Sequence, residues 1–136
     1  MTVEFNLCEL SKKYQFKIIQ LSTDYVFDGN ASKPYETHEP VNPIGVYGKS
    51  KAAAEQAILE AEIDAWIVRT SWLFSPFGKN FVKTIFVSLQ NKNEINVVAD
   101  QIGAPTYAIN LAKFILFAIS QKPNFEGIEI YHFTNT

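Results

Sequence analysis

Cysteine is nearly absent from this 136-residue chain, in which Cys8 stands alone. No disulfide can close within the chain, and a reducing compartment is the simpler setting. Cys8 lies in a helix-like apolar pattern, where a buried thiol is expected. Arginine is equally scarce. Of twelve basic residues only Arg69 is an arginine, the lysines form no dense cluster, and the net charge is −2. That balance does not point to a surface that tracks nucleic-acid phosphates. No stretch approaches the roughly 20 apolar residues that span a bilayer. Residues 1–13 carry acidic and polar side chains where a signal peptide needs an apolar segment. A cytoplasmic protein with no nucleic-acid or membrane partner is therefore expected. His38 and His132 lack zinc-ligand spacing, so no metal ligands are assigned. His132 falls in an apolar run and is read as a satisfied core residue.

What is present supports a folded domain. Hydrophobic residues make up 47% of the chain and charged residues 19%, a balance that argues against disorder. Val3, Phe5, Leu7, Leu10 and Tyr14 recur at a helical period. Residues 16–21 are short, apolar and β-branched, which suits a buried strand. Asp28-Gly29-Asn30 signals a turn, and three prolines within residues 30–43 mark a surface loop. Asn42 is expected to cap a helix with Pro43 at its first position, running on through Ala52, Ala53, Ala54 and Ala57. Residues 65–74 read as a second buried strand with an exit loop, and Ser75-Pro76-Phe77-Gly78 as a turn. Phe81, Ile85 and Leu89 line one face of the next helix. Residues 95–98 suggest a third strand, Tyr107 to Ser120 a helix, and Ile128 to Phe133 a last strand.

This alternation predicts a parallel sheet with helices on its faces. No repeat or linker divides the chain, so residues 1–136 are one domain or part of one. In such sheets ligands bind at the carboxyl ends of the strands, which brings Thr23, Tyr47 and Trp72 toward one rim. Tyr47 and Lys51 are four residues apart and share a helix face. An ammonium beside a phenol favours the phenolate and makes proton transfer near neutral pH accessible. A hydroxyl from another element, Thr23, can hold a substrate oxygen against that phenol. Such a trio suits carbonyl reduction, with the hydride supplied by a nicotinamide cofactor because no side chain can donate one.

Several strings carry a resemblance. They are Ser22-Thr23-Asp24-Tyr25-Val26-Phe27-Asp28-Gly29, then Pro34-Tyr35, then Tyr47-Gly48-Lys49-Ser50-Lys51 with Glu55. Arg69-Thr70-Ser71-Trp72-Leu73-Phe74, Asn80-Phe81-Val82, the run from Val97 to Thr106, and Tyr131-His132-Phe133 complete the set. In order and spacing they resemble the dTDP-4-dehydrorhamnose reductase family of extended short-chain dehydrogenases, across nearly the whole chain. The resemblance implies a partial Rossmann-like, doubly wound α/β fold with part of a sugar-nucleotide lobe. It implies that Thr23, Tyr47 and Lys51 are catalytic. Ser22, Tyr47 and Lys51 would face NADPH or NADH. Asp24, Tyr25 and Trp72 would line the sugar pocket, and Asn80, Gln101, Pro105 and Thr106 the nucleotide end of the substrate. Alternatives stay open from the residues alone. Asp24 can be an Asx-turn residue, Tyr25 and Phe27 core, Trp72 packing, and Thr106 a helix cap. Arg69 is expected to pair with a carboxylate inside the fold.

The resemblance also implies a glycine-rich phosphate-binding turn, and the six glycines of this chain form no such cluster. The chain is expected to hold the second half of the cofactor sheet, to have little reductase activity alone, and to expose a strand edge that favours homo-oligomers. The family is also similar to a non-catalytic regulatory subunit of methionine adenosyltransferase, a binding protein on the same fold. An epimerase or dehydratase is a weaker reading.

Overall fold

The computed structural model describes residues 3–97 and 101–135. Five strands and four helices follow one another as α1 (Val3–Tyr14), β1 (Ile18–Thr23), a 3₁₀ turn (Asp24–Val26), α2 (Val46–Ala61), β2 (Ala65–Thr70), β3 (Leu73–Phe74), α3 (Phe81–Asn91), β4 (Thr106–Tyr107), α4 (Ala108–Gln121) and β5 (Ile128–His132). The main sheet is parallel in the order β1-β2-β5, and β3 pairs with β4 in a second parallel ribbon.

β2 is central, and all six of its residues are buried. Its near-continuous apolar run is what a strand covered on both faces requires. Successive side chains alternate between those faces. Ile18, Ala65, Ile67, Ile128 and Ile130 pack with Cys8 of α1 and Ile58 of α2 on one side. On the other, Trp66 stacks on Phe125 at 4.2 Å and meets Tyr131 edge-on at 5.6 Å. Phe114 of α4 stacks on Phe133 at 4.7 Å and lies edge-on to Tyr131. Helices thus cover both faces, as the alternation of elements predicts.

Boundaries depart from the sequence expectations in instructive places. α2 does not start at Asn42-Pro43. The Asn42 side chain instead donates to the Asp28 carboxylate at 3.1 Å, its N–H donates to the Val26 carbonyl at 2.8 Å, and Gly45 caps the helix. The loop has taken the polar groups that a cap would have used. The second strand breaks after Thr70, because Trp72 adopts φ +43°, a left-handed conformation incompatible with a continuing strand. Of the third strand expected at 95–98, residues 95–97 form none and Val98 lies outside the described residues. So do the side chains of Val3 and Phe5. Thr106 does not cap α4. It lies in β4, and Tyr107 precedes the helix without a side-chain cap. His132 is exposed rather than a core residue, with its ring edge-on to Phe27 at 5.8 Å.

Candidate active site

At the carboxyl ends of β1 and β2 the chain leaves the sheet in opposite ways, and a cavity of about 580 Å³ opens between the two exits. After β1 it tightens into the 3₁₀ turn. The Thr23 hydroxyl accepts the Tyr25 N–H at 3.2 Å and donates to the Asp24 carboxylate at 3.0 Å. After β2 the left-handed Trp72 turns the chain sharply, a conformation that costs about 1–3 kcal/mol and persists only where neighbours enforce it. Here they do. The Ser71 hydroxyl donates to the Ala104 carbonyl at 2.6 Å, and the Trp72 carbonyl accepts the Thr106 N–H at 3.2 Å. Gly103 lies flat against the indole, so that a Cβ there would sit 3.0 Å from the ring.

The third wall comes from α2. Gly48 lets this helix approach the 3₁₀ turn so closely that a Cβ would stand 2.1 Å from the Tyr25 carbonyl oxygen. That contact carries Tyr47 to the cavity, its ring edge-on to Tyr25 at 6.2 Å. The Tyr25 hydroxyl in turn donates to the Gln101 side-chain oxygen at 3.4 Å. Phe81, Thr84 and Ile85 of α3 close the far side.

The fold therefore brings Ser22, Thr23, Asp24, Tyr25, Tyr47, Trp72 and Gln101 to one cavity. It does not bring every expected residue there. The Lys51 ammonium donates to the Leu21 carbonyl at 3.3 Å, beside the cavity rather than in its wall. Asn80 caps α3 by accepting the Lys83 N–H at 3.0 Å. Thr106 is fully buried and Pro105 exposed, and neither lines the cavity. Sequence reasoning had passed over Thr70, Thr84 and Asn96, which do line it. The Thr70 hydroxyl is buried and has no hydrogen-bond partner among the described residues. It also borders a smaller cavity of about 250 Å³ that shares Asp24, Thr70 and Ser71 with the first.

Asp24 is the one carboxyl among the described residues lining the cavity. Burial pushes the Asp24 carboxyl above the ordinary carboxylate range, against smaller lowering by the Thr23 hydrogen bond and backbone N–H groups. Arg69 meets its expected carboxylate: it pairs with Glu55 at 2.7 Å, and both side chains are buried. Although the residue as a whole is exposed, partial desolvation of its ring first and the Arg69 charge second hold His132 below the usual imidazole value. Among the described residues no group of three potential metal ligands is found.

Helices on both faces of a parallel sheet, with a cavity where the strands end, define a doubly wound α/β protein. More particularly, the chain belongs to the RmlD substrate binding domain family, whose model matches residues 2–136. It is 43% identical over 131 residues to dTDP-4-dehydrorhamnose reductase of Aggregatibacter actinomycetemcomitans, covering 94% of this chain and 44% of that protein. It is 41% identical over 118 residues to spore coat polysaccharide biosynthesis protein SpsK of Bacillus subtilis (strain 168), covering 87% of this chain and 40% of the relative. The crystal structure of dTDP-4-dehydrorhamnose reductase from Bacillus anthracis in complex with NADP superposes with a TM-score of 0.88 at 40% identity, over 98% of this chain and 46% of that one. The chain thus spans less than half the length of these relatives.

Proposed function

We propose that this chain is the catalytic and sugar-binding portion of an NAD(P)H-dependent reductase. Its reaction would convert the 4-keto group of a dTDP-linked deoxysugar, dTDP-4-dehydrorhamnose, to the alcohol. Residues 1–136 would act as one unit, the second half of a cofactor-binding sheet joined to part of the substrate lobe. The observation that carries the reading is the convergence of Thr23 and Tyr47 on one cavity whose walls include Asp24 and Trp72.

The chemistry divides as follows. Tyr47 delivers a proton to the carbonyl oxygen, and the Thr23 hydroxyl steadies that oxygen. Lys51, anchored to the end of β1, holds the ribose side of the cofactor and keeps positive charge near the phenol. Ser22 borders the same end. Asp24 and Tyr25 bind sugar hydroxyls, Trp72 forms an apolar wall, and Gln101 orients Tyr25. Asn80, Pro105 and Thr106 would act from behind, shaping the loops toward the nucleotide end.

The residues present fit the reactive end of a nicotinamide cofactor, since the cavity is roomy and the Thr70 hydroxyl lacks a partner among the described residues. When bound, that cofactor supplies the hydride. No glycine cluster of this chain can cradle its pyrophosphate. The 136 residues alone should therefore turn over little or nothing. The outer edge of β1 pairs with no described strand, which favours self-association of the isolated chain. No described helix is long and apolar enough to cross a membrane, and a cytoplasmic setting suits a nucleotide-sugar enzyme.

The test is a titration of the purified chain with dTDP-rhamnose and, separately, NADPH, followed by tryptophan emission with Trp72→Phe as control. The sugar nucleotide should alter the emission through Trp72, whereas NADPH should bind at millimolar levels or not at all. An unresponsive Trp72 would remove the substrate reading, and tight capture of a methionine adenosyltransferase catalytic subunit would favour the non-catalytic alternative. Ordinary reductase turnover by the chain alone would overturn the claim that it is inactive.

A further inference from the structure

Behind the cavity floor a charged cluster is buried. Glu55 of α2 and Arg69 of β2 are 2% and 4% exposed. One Glu55 carboxylate oxygen, Oε1, accepts from the Ser22 hydroxyl at 2.5 Å and from Arg69 Nε at 3.1 Å. The other, Oε2, accepts from Arg69 Nη2 at 2.7 Å and from Nε at 3.2 Å. Arg69 Nη1 reaches on to the Thr37 carbonyl at 3.2 Å. One carboxylate thus ties a helix to two strands and, through Arg69, to the loop before α2.

The positions of its partners matter. Ser22 immediately precedes Thr23. Glu55 lies on the helical repeat that begins at Tyr47 and passes through Lys51, one turn after the lysine and two after the tyrosine. A carboxylate in this place links the strand end that carries the threonine to the helix that carries the tyrosine. Helix α2 has an independent need for such a link. Apart from Glu55, its buried face consists of Gly48, Ala54 and Ile58, so Ile58 is the one large apolar knob that sets its height on the sheet. An apolar face of that kind tolerates sliding. A buried ion pair does not, because a slip would leave charges uncompensated in the interior. Gly48 against the Tyr25 carbonyl fixes the first turn of the helix, and Glu55 fixes its middle.

We propose that Glu55, acting through Ser22 and Arg69, is a positioning residue that sets the register of α2 against β1 and so holds Tyr47 opposite Thr23. The inference rests on the reading of Tyr47 and Thr23 as the reacting pair. It needs no ligand for its test, so it can fail separately from that reading.

The experiment is proton NMR of the purified chain, reading the cross-peak between the Tyr25 and Tyr47 rings, with a thermal melt on each sample. Ser22→Ala removes the link to β1 and leaves the ion pair whole, and Ser22→Thr puts the hydroxyl back. Ile58→Val, on the buried face of the same helix, lowers the melting temperature without touching the network. The expected pattern is loss of the ring cross-peak in Ser22→Ala, its return in Ser22→Thr and its retention in Ile58→Val. If Ser22→Ala and Ile58→Val keep or lose the cross-peak alike, Glu55 merely supports the fold and the proposal is overturned. It is equally overturned if Ser22→Thr fails to restore the signal, or if Ser22→Ala does not fold. If the pattern holds while dTDP-rhamnose leaves Trp72 unaffected, positioning stands and the substrate reading falls alone.

Discussion

The two helices that flank the cavity are held in very different ways. α2 is pinned by the Gly48 approach, by the Glu55–Arg69 pair and by Ile58, which is 1% exposed. α3 has no buried residue, and Phe81, Phe86, Val87 and Leu89 are each more than half exposed. Under the proposed function, α2 presents Tyr47, the group that would have to meet a reacting atom within a fraction of an ångström. α3 supplies a greasy wall, Phe81, Thr84 and Ile85, for which approximate placement suffices. The difference shows where this fold concentrates its order: around the tyrosine rather than around the cavity as a whole.

Substitutions on the two helices put that contrast to the test. The largest effect is expected from Arg69→Ala, which leaves Glu55 charged and buried and should cost about 3–5 kcal/mol in chemical denaturation. Ile58→Ala should cost about 2–5 kcal/mol by the same measurement, with the outcome in that range set by how far α2 can settle. Gly48→Ala forces α2 away from the Tyr25 carbonyl and should cost about 1–3 kcal/mol, with loss of the Tyr25–Tyr47 ring contact in NMR spectra. Phe86→Ala, on the unburied helix, should change stability by less than about 0.5 kcal/mol. A cost as large as that of Ile58→Ala would show that α3 is packed after all and would abolish the contrast.

The smallest effect concerns the loop between the 3₁₀ turn and α2. Hydrogen bonds from the Tyr35 hydroxyl first, then from the Asn30 backbone and Asn42 side chain, hold the Asp28 carboxyl down at about 2. A carboxyl depressed on folding contributes stability above its unfolded value, near about 4, and that contribution is lost as the pH falls toward 2. Carbon NMR of the Asp28 carboxyl should place its midpoint well below that of an ordinary aspartate, and Tyr35→Phe should raise it.

Some of this could be read directly from residue order. The period of residues 3–14, the apolar runs expected at 16–21 and 65–74, and the final strand correspond to α1, β1 (Ile18–Thr23), β2 (Ala65–Thr70) and β5, with shifted ends, because long uniform patterns have one favourable arrangement. The lone arginine was expected to need a carboxylate, and it has one. Other features could not be read this way. Asn42-Pro43 has good cap chemistry, yet Asp28 claims the asparagine through a loop contact that spans fourteen residues. Gly48 sits inside a helix with a positive φ nowhere near it, and only the approach of the Tyr25 carbonyl explains why a side chain is excluded there. Gly103 is explained by Trp72 in the same manner. Lys51 shares a helix face with Tyr47 as expected from their spacing, but that its ammonium meets the Leu21 carbonyl is visible only in the structure.

Residue order alone specified the class of fold, the alternation of strand and helix, and the side-chain types that meet at the candidate site. These follow from hydrophobic period and side-chain chemistry, which are local properties. Only the tertiary structure decided which of those residues share a cavity, that Asn80 serves as a helix cap while Gln101 reaches Tyr25, and that one buried carboxylate joins the helix of Tyr47 to the strand of Thr23. Such contacts join positions tens of residues apart. Their energies depend on burial and on the exact approach of two backbones, neither of which is encoded in any short stretch of chain.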